Sequence, residues 1–295
     1  MKKVCAYLRL LRVKHYTKNL LVFFPLIFHG RLFDPELFIV TLLAFGAFCC
    51  VSSAVYIIND VRDVETDRKH ETKKERPLAS GEISRQAAYV LLVLMLIGAV
   101  VFNAMIVPTT ALSWIILFGY FALNVAYSLG LKNVALVDVS ILVCGYVLRV
   151  FYGSVVTGIT VSHWLFLTLI AFSLYLAFGK RRGELAQRGT ASRDVLAKYP
   201  DNFLDTSMTV FLTLTLAFYS LWSVDVAAHA HDMLLVWTVP LVIAICLRYH
   251  FVIAGDSDGD PVEVVVKDPA LMLLVAGYAI AILSVLYFST MSSFS

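Results

Sequence analysis

Nine long apolar runs, separated by short polar segments, constrain the fold of this chain more than any other feature of its sequence. The runs lie near residues 20–33, 36–58, 86–107, 110–128, 136–157, 161–179, 207–225, 233–254 and 269–291. A helix needs roughly 20 apolar residues to cross the hydrocarbon core of a bilayer. Of the 295 residues, 60% are apolar and only 15% are charged, unlike an ordinary soluble domain. The sequence therefore predicts an all-α polytopic membrane protein with about nine transmembrane helices in a single domain, residues 1–295.

The first run is the weakest of the nine, because Pro25 and His29 interrupt it. We expect this span to be short, tilted or begun earlier by the amphipathic residues that precede it. No small-residue cleavage site follows the run, so we expect no removable signal peptide.

The positions of Lys and Arg predict the orientation of the chain, since cytoplasmic connections carry an excess of basic residues. With nine spans the polar segments alternate between two sides, and one side holds 22 of the 24 Lys and Arg residues. The basic segments are 1–19, 59–85, 129–135, 180–206 and 248–268. We therefore expect the amino terminus in the cytoplasm and the carboxyl terminus outside.

Function is expected at the cytoplasmic connections 59–85, 129–135 and 180–206. The first and last of these are long and charged, and loops of that length between spans seldom serve only as connectors. The lipid bilayer is the partner that the composition requires. Nucleic-acid binding is not expected, because topology explains the basic residues and the net charge is only +3.

An Asn and two Asp residues lie at helical spacing where the second apolar run ends. Asn59, Asp63 and Asp67 occupy positions i, i+4 and i+8, so they line one face if the helix continues. Magnesium prefers carboxylate oxygens, and substrate phosphates commonly complete its coordination. The spacing therefore predicts a Mg²⁺ site that binds a diphosphate. The alternative is a solvated face of alternating charge, in which neighbouring Arg and Lys residues pair with the acids.

The segment NDVRDVETD at residues 59–67, followed by RKHETKKERPLASGEIS, resembles the first signature of the UbiA superfamily of membrane prenyltransferases. Within that superfamily the chain is most similar to the decaprenyl-phosphate phosphoribosyltransferases. The similarity extends over nearly the whole chain and rests on LRVKHYTKNLLVFFPLIFHG, YSLGLKNVALVDVSILVCGYVLR, LAFGKRRGEL and GDPVEVVVKDPAL. The resemblance implies a nine-helix bundle with a central cavity that opens to the cytoplasm and the membrane.

The resemblance also implies a reaction, a set of ligands and a location. The 5-phosphoribosyl group would pass from phosphoribosyl diphosphate to a polyprenyl phosphate of the decaprenyl type, with release of diphosphate. Asn59, Asp63 and Asp67 would hold Mg²⁺ and the diphosphate, with Asp60 as a further contributor. A bound metal stabilises negative charge on the leaving diphosphate. The acceptor phosphate is already ionised, so no general base is expected. The enzyme would serve cell envelope biosynthesis in the inner (plasma) membrane of a bacterial cell.

Further candidates for substrate binding lie on the predicted cytoplasmic side. They are Lys18, Tyr56, Lys73, Arg76, Tyr127, Lys132, Asp138, Lys180, Arg181 and Arg182. Phosphoribosyl diphosphate carries a separate 5-phosphate and the acceptor brings its own, so several anion contacts are needed, and Arg can bind phosphate bidentately. Membrane anchoring explains Lys18, Lys132 and the basic cluster 180–182 equally well. Asp138 alternatively favours the amino end of its helix.

Two other features of the sequence bear on the site. Arg76 and Pro77, together with Gly81, indicate a shaped loop over the site that contains Asn59, Asp63 and Asp67. Arg149 lies inside a predicted span, where arginine is costly unless it faces a cavity or a partner. It follows Asp138 on nearly the same helical face, about 16 Å deeper at ~1.5 Å per residue. A substrate phosphate is one candidate partner for Arg149, and backbone carbonyls or ordered water are others.

Two other functions are compatible with such a bundle. A UbiA-type prenyltransferase would use the same metal cluster to move a polyprenyl group from its diphosphate to an aromatic acceptor. A transporter would also hold charged residues among its helices. Transporters, however, place polar groups near the midplane and often show repeated halves, whereas the acids here crowd one membrane face. The amino-terminal segment LRVKHYTKN and the segment KRRGEL resemble the phosphoribosyltransferases, and this resemblance favours phosphoribosyl transfer.

Overall fold

The structure is a computed structural model that describes residues 2–69, 73–188, 194–200, 202–230, 233–255, 259 and 261–292. Its α-helices are α1 Lys2–Leu10, α2 Phe24–Phe28, α3 Pro35–Arg62, α4 Val64–Arg68, α5 Arg85–Ala104, α6 Ala111–Leu129, α7 Val137–Thr157, α8 His163–Arg188, α9 Phe203–Ala230, α10 Val239–Ala254, α11 Pro261–Lys267 and α12 Pro269–Ser292. Shorter 3-10 helices occupy Val13–Phe23, Lys73–Glu75, Leu131–Asn133, Asp194–Lys198 and Met233–Thr238. Within these ranges no residue belongs to a strand.

Helix length and composition confirm the all-α membrane class. In the described part of the chain, eight helical segments are long and apolar enough to cross a bilayer. They are Pro35–Arg62, Arg85–Ala104, Ala111–Leu129, Val137–Thr157, His163–Ala186, Phe203–Ala228, Met233–Ala254 and Pro269–Tyr287. Each coincides with one of the predicted apolar runs after the first. The chain is therefore an integral membrane protein.

The first apolar run does not form a ninth helix of that length. It folds as the first 3-10 helix, Val13–Phe23, followed by the five-residue α2, in which Pro25 occupies the first turn and needs no N–H donor. This segment runs antiparallel to α3, because Arg12 pairs with Asp60 at the end of α3 whereas the Phe23 ring contacts that of Phe38 near its beginning. The predicted count of nine equivalent helices is therefore not confirmed.

The chain divides into two compact units, each with its own core. The first contains Met1–Leu26, Arg31–Gly130 and Leu148–Thr160, and the second contains Ile27–Gly30, Leu131–Val147 and Val161–Ser295. Catalysis by a single domain over residues 1–295 stays a prediction.

Small and aromatic side chains alternate in the core of the first unit. Ala44 and Ala47 are fully buried on α3, where small residues allow neighbouring helices to approach closely. Phe48 follows Ala47 on α3. Its ring centroid is 4.8 Å from that of Tyr120 and 5.4 Å from that of Tyr152. These rings tie α6 and α7 to α3.

In the second unit the core is built mainly where α8 packs against α9. Tyr175 and Phe178 of α8 are buried with Met208 of α9, and Ile253 of α10 joins the same cluster. The Phe178 and Phe211 rings are nearly parallel, with an interplanar angle of 10°. The same unit contains the charged residues Asp138, Arg181 and Arg182.

Gly153 of α7 lies against the backbone of the first 3-10 helix. A Cβ atom at this position would overlap the carbonyl oxygen of Val22 and lie 3.3 Å from the Pro25 ring. Gly119 of α6 offers a contrast, since a Cβ atom there would meet nothing within 4 Å.

We predict that Gly153→Ala destabilises the protein by about 1–3 kcal/mol, because the backbone carbonyl it would strike cannot move away as a flexible side chain can. The matched Gly119→Ala should be neutral or stabilising by up to roughly 1 kcal/mol, since alanine favours a helix. The measurement is the melting temperature of the purified proteins in one detergent. Equal melting temperatures would contradict the close packing at Gly153.

Candidate functional site

Asn59, Asp60, Asp63 and Asp67, which together form the acidic cluster, lie where α3 ends. The helix stops at Arg62, Asp63 has φ −87° and ψ 4°, and α4 begins at Val64. Hydrogen bonds of the helical type nevertheless continue, since the Asp63 N–H donates to the Asn59 carbonyl at 2.9 Å and the Asp67 N–H to the Asp63 carbonyl at 2.8 Å. The prediction of one uninterrupted helix is wrong at Asp63, a residue type that tolerates helix ends because its side chain competes for backbone hydrogen bonds.

Two acids of the cluster are buried and paired with arginines. Asp60 and Asp67 expose only 2% and 3% of their surface. Arg12 Nη2 donates to Asp60 Oδ1 at 2.6 Å. Arg76 Nη1 donates to the same oxygen at 3.3 Å and to Asp67 Oδ2 at 2.7 Å. The sequence had predicted Arg76 at the site but missed Arg12, whose only signal is its place in a basic amino-terminal segment.

The basic residues that neighbour these acids in the sequence form pairs with other groups. Arg68 and Arg85 both bind the exposed Glu65, at 3.2 and 2.6 Å. Arg62 donates to the backbone carbonyl of Ser128 at the end of α6. Arg62 and Arg68 therefore have these other partners, whereas the alternative prediction paired them with the acids of the cluster.

Asn59 offers an acceptor that no described residue uses. Its Oδ1 atom is buried and accepts no hydrogen bond within the described part of the chain. With the carboxylates of Asp63 and Asp67, this amide gives the oxygen donors that suit Mg²⁺. Among the residues described, no three His, Cys, Asp or Glu side chains converge on one point. These donor types suit magnesium, whose remaining ligands would be substrate phosphates and water. A magnesium site at Asn59, Asp63 and Asp67 stays a prediction.

The loop that carries Arg76 is closed by its own hydrogen bonds. The Ser80 N–H donates to the Arg76 carbonyl at 2.8 Å, and the Ile83 N–H donates to the Pro77 carbonyl at 3.0 Å. Gly81 has φ +82°, a conformation that favours glycine. The predicted shaped loop is confirmed, and it holds the Arg76 backbone in a fixed position.

The other predicted binding residues of the acidic region and the loops are half-buried. Lys18 lies in the first 3-10 helix, Tyr56 in α3, Lys73 in the second 3-10 helix, Tyr127 near the end of α6, Lys132 in the third 3-10 helix and Lys180 in α8. Of these, Tyr56 joins the acidic cluster, because the Arg12 guanidinium carbon lies 4.6 Å from the centre of its ring. Substrate binding by all six stays a prediction.

Arg149 is buried in the first unit among aromatic and amide groups. Its Nε donates to Asn19 Oδ1 at 2.8 Å, and its Nη2 donates to the Tyr120 hydroxyl at 2.9 Å. The guanidinium carbon also lies 4.9 Å from the centre of the Tyr120 ring and 5.3 Å from that of Phe48. Neither Asn19 nor Tyr120 was predicted. These contacts are of a kind that the sequence had not suggested, since backbone carbonyls, water and phosphate were the expected partners.

Asp138 forms a buried ion pair with Arg181 in the second unit. Its side chain is fully buried, and Arg181 exposes 1% of its surface. Arg181 Nε donates to Asp138 Oδ2 at 2.6 Å, and Arg181 Nη1 donates to Glu184 at 2.7 Å. The Tyr199 hydroxyl donates to the other Asp138 oxygen at 2.9 Å. Asp138 is the second residue of α7, as expected for an acid that favours a helix amino end.

Nothing in the sequence indicated Tyr199, although its hydroxyl group completes the contacts of Asp138. Burial raises the pKa of Tyr199 to about 12, so the phenol stays protonated at neutral pH and its O–H remains a donor. Its oxygen accepts the Leu136 N–H at 3.1 Å. A phenol hydrogen-bonded on both sides attaches the segment 194–200 to the start of α7.

Arg182 has structural partners as well. Its Nε donates to Asp205 at 3.1 Å and its Nη1 donates to the Ile253 carbonyl at 2.6 Å, near the end of α10. A basic side chain suits the last carbonyls of a helix. Substrate binding and membrane anchoring by Arg182 both stay predictions.

We predict that Asp138→Ala destabilises the protein by roughly 3 kcal/mol, because it leaves the buried Arg181 guanidinium without its main counter-ion. Asp205→Ala breaks the pair with Arg182, but the Asp205 side chain is 60% exposed, so we expect a loss of less than about 1 kcal/mol. Unfolding of both variants in detergent should be followed by circular dichroism. Equal losses would show that burial does not distinguish the two pairs.

Comparison with known proteins finds a family and relatives that match most of this chain. The sequence model of the UbiA prenyltransferase family matches residues 21–275. The decaprenyl-phosphate phosphoribosyltransferase of Mycobacterium tuberculosis is 34% identical over 283 residues, which cover 93% of this chain and 92% of that protein. The protein of the same name from Corynebacterium glutamicum is 32% identical over 292 residues, which cover 96% of this chain and 87% of that protein.

A solved structure confirms the helical fold of the family, whereas the count of nine helices and the central cavity stay predictions. The UbiA homologue of Archaeoglobus fulgidus, determined with GPP and Mg²⁺ bound, has a TM-score of 0.67 to this chain. The match covers 95% of this chain and 99% of that one at 18% sequence identity. At that identity the likeness concerns the fold alone.

Proposed function

Because this chain is an integral membrane transferase of the UbiA prenyltransferase family, we propose that it transfers a phosphoribosyl group to a polyprenyl phosphate. The donor is phosphoribosyl diphosphate, and the acceptor is a lipid of the decaprenyl-phosphate type. The observation that carries the proposal is the alignment of phosphoribosyltransferases along more than nine tenths of this chain. The buried carboxylates and guanidinium groups at the end of α3 suit a substrate rich in phosphate.

The reaction exchanges one bond at the anomeric carbon for another. The bond from that carbon to the diphosphate oxygen breaks, and an oxygen of the lipid phosphate forms the new bond. The lipid phosphate is ionised at neutral pH, so the protein need not remove a proton from it. The chain must therefore orient two anions side by side and offset their charge.

Asn59, Asp63 and Asp67 would hold the magnesium ion in this scheme. When bound, the ion stabilises the negative charge that builds on the departing diphosphate. The Asn59 amide oxygen supports this role, since it is buried and accepts no hydrogen bond from any described residue. Asp67 would have to exchange its contact with Arg76 for the metal, which leaves Arg76 available to a phosphate oxygen.

We place the reaction at the cytoplasmic face of the bacterial inner membrane, with the amino terminus inside and the carboxyl terminus outside. Phosphoribosyl diphosphate is water-soluble, and a charged sugar cannot cross the bilayer unaided. The density of Lys and Arg in the segments that contain Arg12 and Arg76 supports this side.

Prenyl transfer to an aromatic acceptor is the second candidate, because the family that matches this chain is named for prenyl transfer. It would use the same metal site. It differs in the donor, which would be a polyprenyl diphosphate, and in the need for a pocket that accepts a planar ring.

One assay separates the two reactions. Purified protein with Mg²⁺, labelled phosphoribosyl diphosphate and a polyprenyl phosphate should give label in the lipid extract, and EDTA should abolish it. A parallel reaction contains a polyprenyl diphosphate and 4-hydroxybenzoate. A prenylated aromatic product in the second reaction, with no labelled lipid in the first, would replace the proposed function by the second candidate.

We predict that Asp63→Ala and Asp67→Ala each reduce turnover by at least about 10²-fold, the scale on which loss of charge stabilisation at a reacting centre acts. Glu65→Ala is the matched control, because Glu65 belongs to the same stretch but is exposed and pairs only with surface arginines in the contacts described above. Wild-type turnover in either Asp variant would contradict the metal site, provided that both proteins elute as folded species from a sizing column.

A further inference from the structure

Asp60 is the acid of the cluster whose environment is least explained by metal binding. It lies in the last turn of α3, where the carbonyl groups give the helix its negative pole. Its side chain is only 3% exposed. A buried carboxylate at a negative helix end is unfavourable by itself, so its presence requires local positive charge.

Two guanidinium groups supply that charge, and both contact one carboxylate oxygen. Arg12 lies 2.6 Å from Asp60 Oδ1 and Arg76 lies 3.3 Å from it. Their side chains are 21% and 29% exposed, so each arginine reaches from solvent to an acid that solvent does not reach. Each guanidinium has five N–H donors, and the contacts with the two acids use only some of them.

The backbone at Arg12 is held in a conformation that arginine rarely adopts. Arg12 has φ 53° and ψ 47°, the left-handed region, at the junction between α1 and the first 3-10 helix. Its guanidinium also lies over the ring of Tyr56, at 4.6 Å. Tyr56 and Asp60 are one turn apart on α3, so this helix face offers the guanidinium an aromatic surface and a carboxylate together.

Asp60 and Asp67 share Arg76 but not Arg12. Arg76 Nη1 is closer to Asp67, at 2.7 Å, than to Asp60, at 3.3 Å. If Asp67 turned towards a metal ion, Asp60 would still hold Arg76 in place. The two acids therefore have different surroundings although they lie on adjacent helices, and a common role as metal ligands does not explain that difference.

We infer that Asp60 is a positioning residue, which holds Arg12 and Arg76 side by side so that their outer N–H groups bind the phosphate oxygens of a diphosphate ester. This inference deepens the proposed function and rests on it for the identity of the ester. It assigns Asp60 to the anion-binding part of the site and not to the metal. Arg12 becomes a substrate-binding residue.

The test uses Asp60→Asn and Asp67→Asn, which preserve side-chain size, in the purified full-length protein. Mn²⁺ binding is measured by electron paramagnetic resonance without substrate. Pyrophosphate binding is measured as the rise in melting temperature that pyrophosphate causes in the presence of Mg²⁺. Glu82→Gln, which alters the exposed pair with Arg9, is the control for a charge change nearby.

Asp67→Asn should weaken Mn²⁺ binding at least about tenfold. Asp60→Asn should leave Mn²⁺ binding within about twofold of the wild type but remove most of the pyrophosphate-induced rise, because the guanidinium pair loses its anchor. Arg12→Lys should do the same, since an ammonium group lacks the planar fork that binds carboxylate and phosphate together. This second variant keeps the test decisive if Asp60→Asn fails to fold.

Two results would overturn the inference. A loss of Mn²⁺ binding in Asp60→Asn as large as that in Asp67→Asn would make Asp60 a metal ligand. A wild-type pyrophosphate response in folded Asp60→Asn or Arg12→Lys would make the arginine pairs purely structural. The proposed function fails separately, if wild-type protein binds pyrophosphate through Asp60 and Arg12 but transfers no phosphoribosyl group.

Discussion

Charge buried within an apolar bundle has to be neutralised where it lies, and this requirement organises the functional parts of the molecule. At the end of α3, Asp60 and Asp67 are placed inside and are balanced by Arg12 and Arg76. Removing one partner of such a set costs far more than the set contributes as a whole, because the other charge stays desolvated. The two pairs that Asp60 forms therefore restrain Arg12 and Arg76, and groups held in place favour anion binding.

The first unit meets the same requirement differently where Arg149 is buried. There the guanidinium lies over the adjacent rings of Phe48 and Tyr120 and donates to Asn19. Arginine suits this environment because its delocalised charge is weakly hydrated and stacks on aromatic faces. Asn19 also donates to Ser52, so one amide joins the first 3-10 helix to both α3 and α7.

The sequence predicts most of the membrane helices, because each long apolar run satisfies its own backbone hydrogen bonds within a helix. It does not predict the 3-10 geometry around Pro25, which depends on packing against α3 and α7. At the site, spacing alone indicates Asn59, Asp63 and Asp67. Arg12 was not predictable, since its pairing joins residues far apart in sequence and its left-handed backbone has no glycine to signal it. Tyr199 likewise acquires its role only when its segment meets α7.

Two anchors fix the first 3-10 helix, one at Arg12 immediately before it and one at Asn19 within it. Arg12 itself is attached to the acidic cluster, and Asn19 is attached to Arg149 in the apolar interior. A 3-10 helix has about three residues per turn and rises ~2.0 Å per residue. Inserting or deleting a single amino acid between these anchors would rotate one relative to the other by roughly 120°, so both could not be satisfied. The number of residues between the two anchors is consequently constrained by the geometry of the backbone, whichever side chains occupy the positions between them.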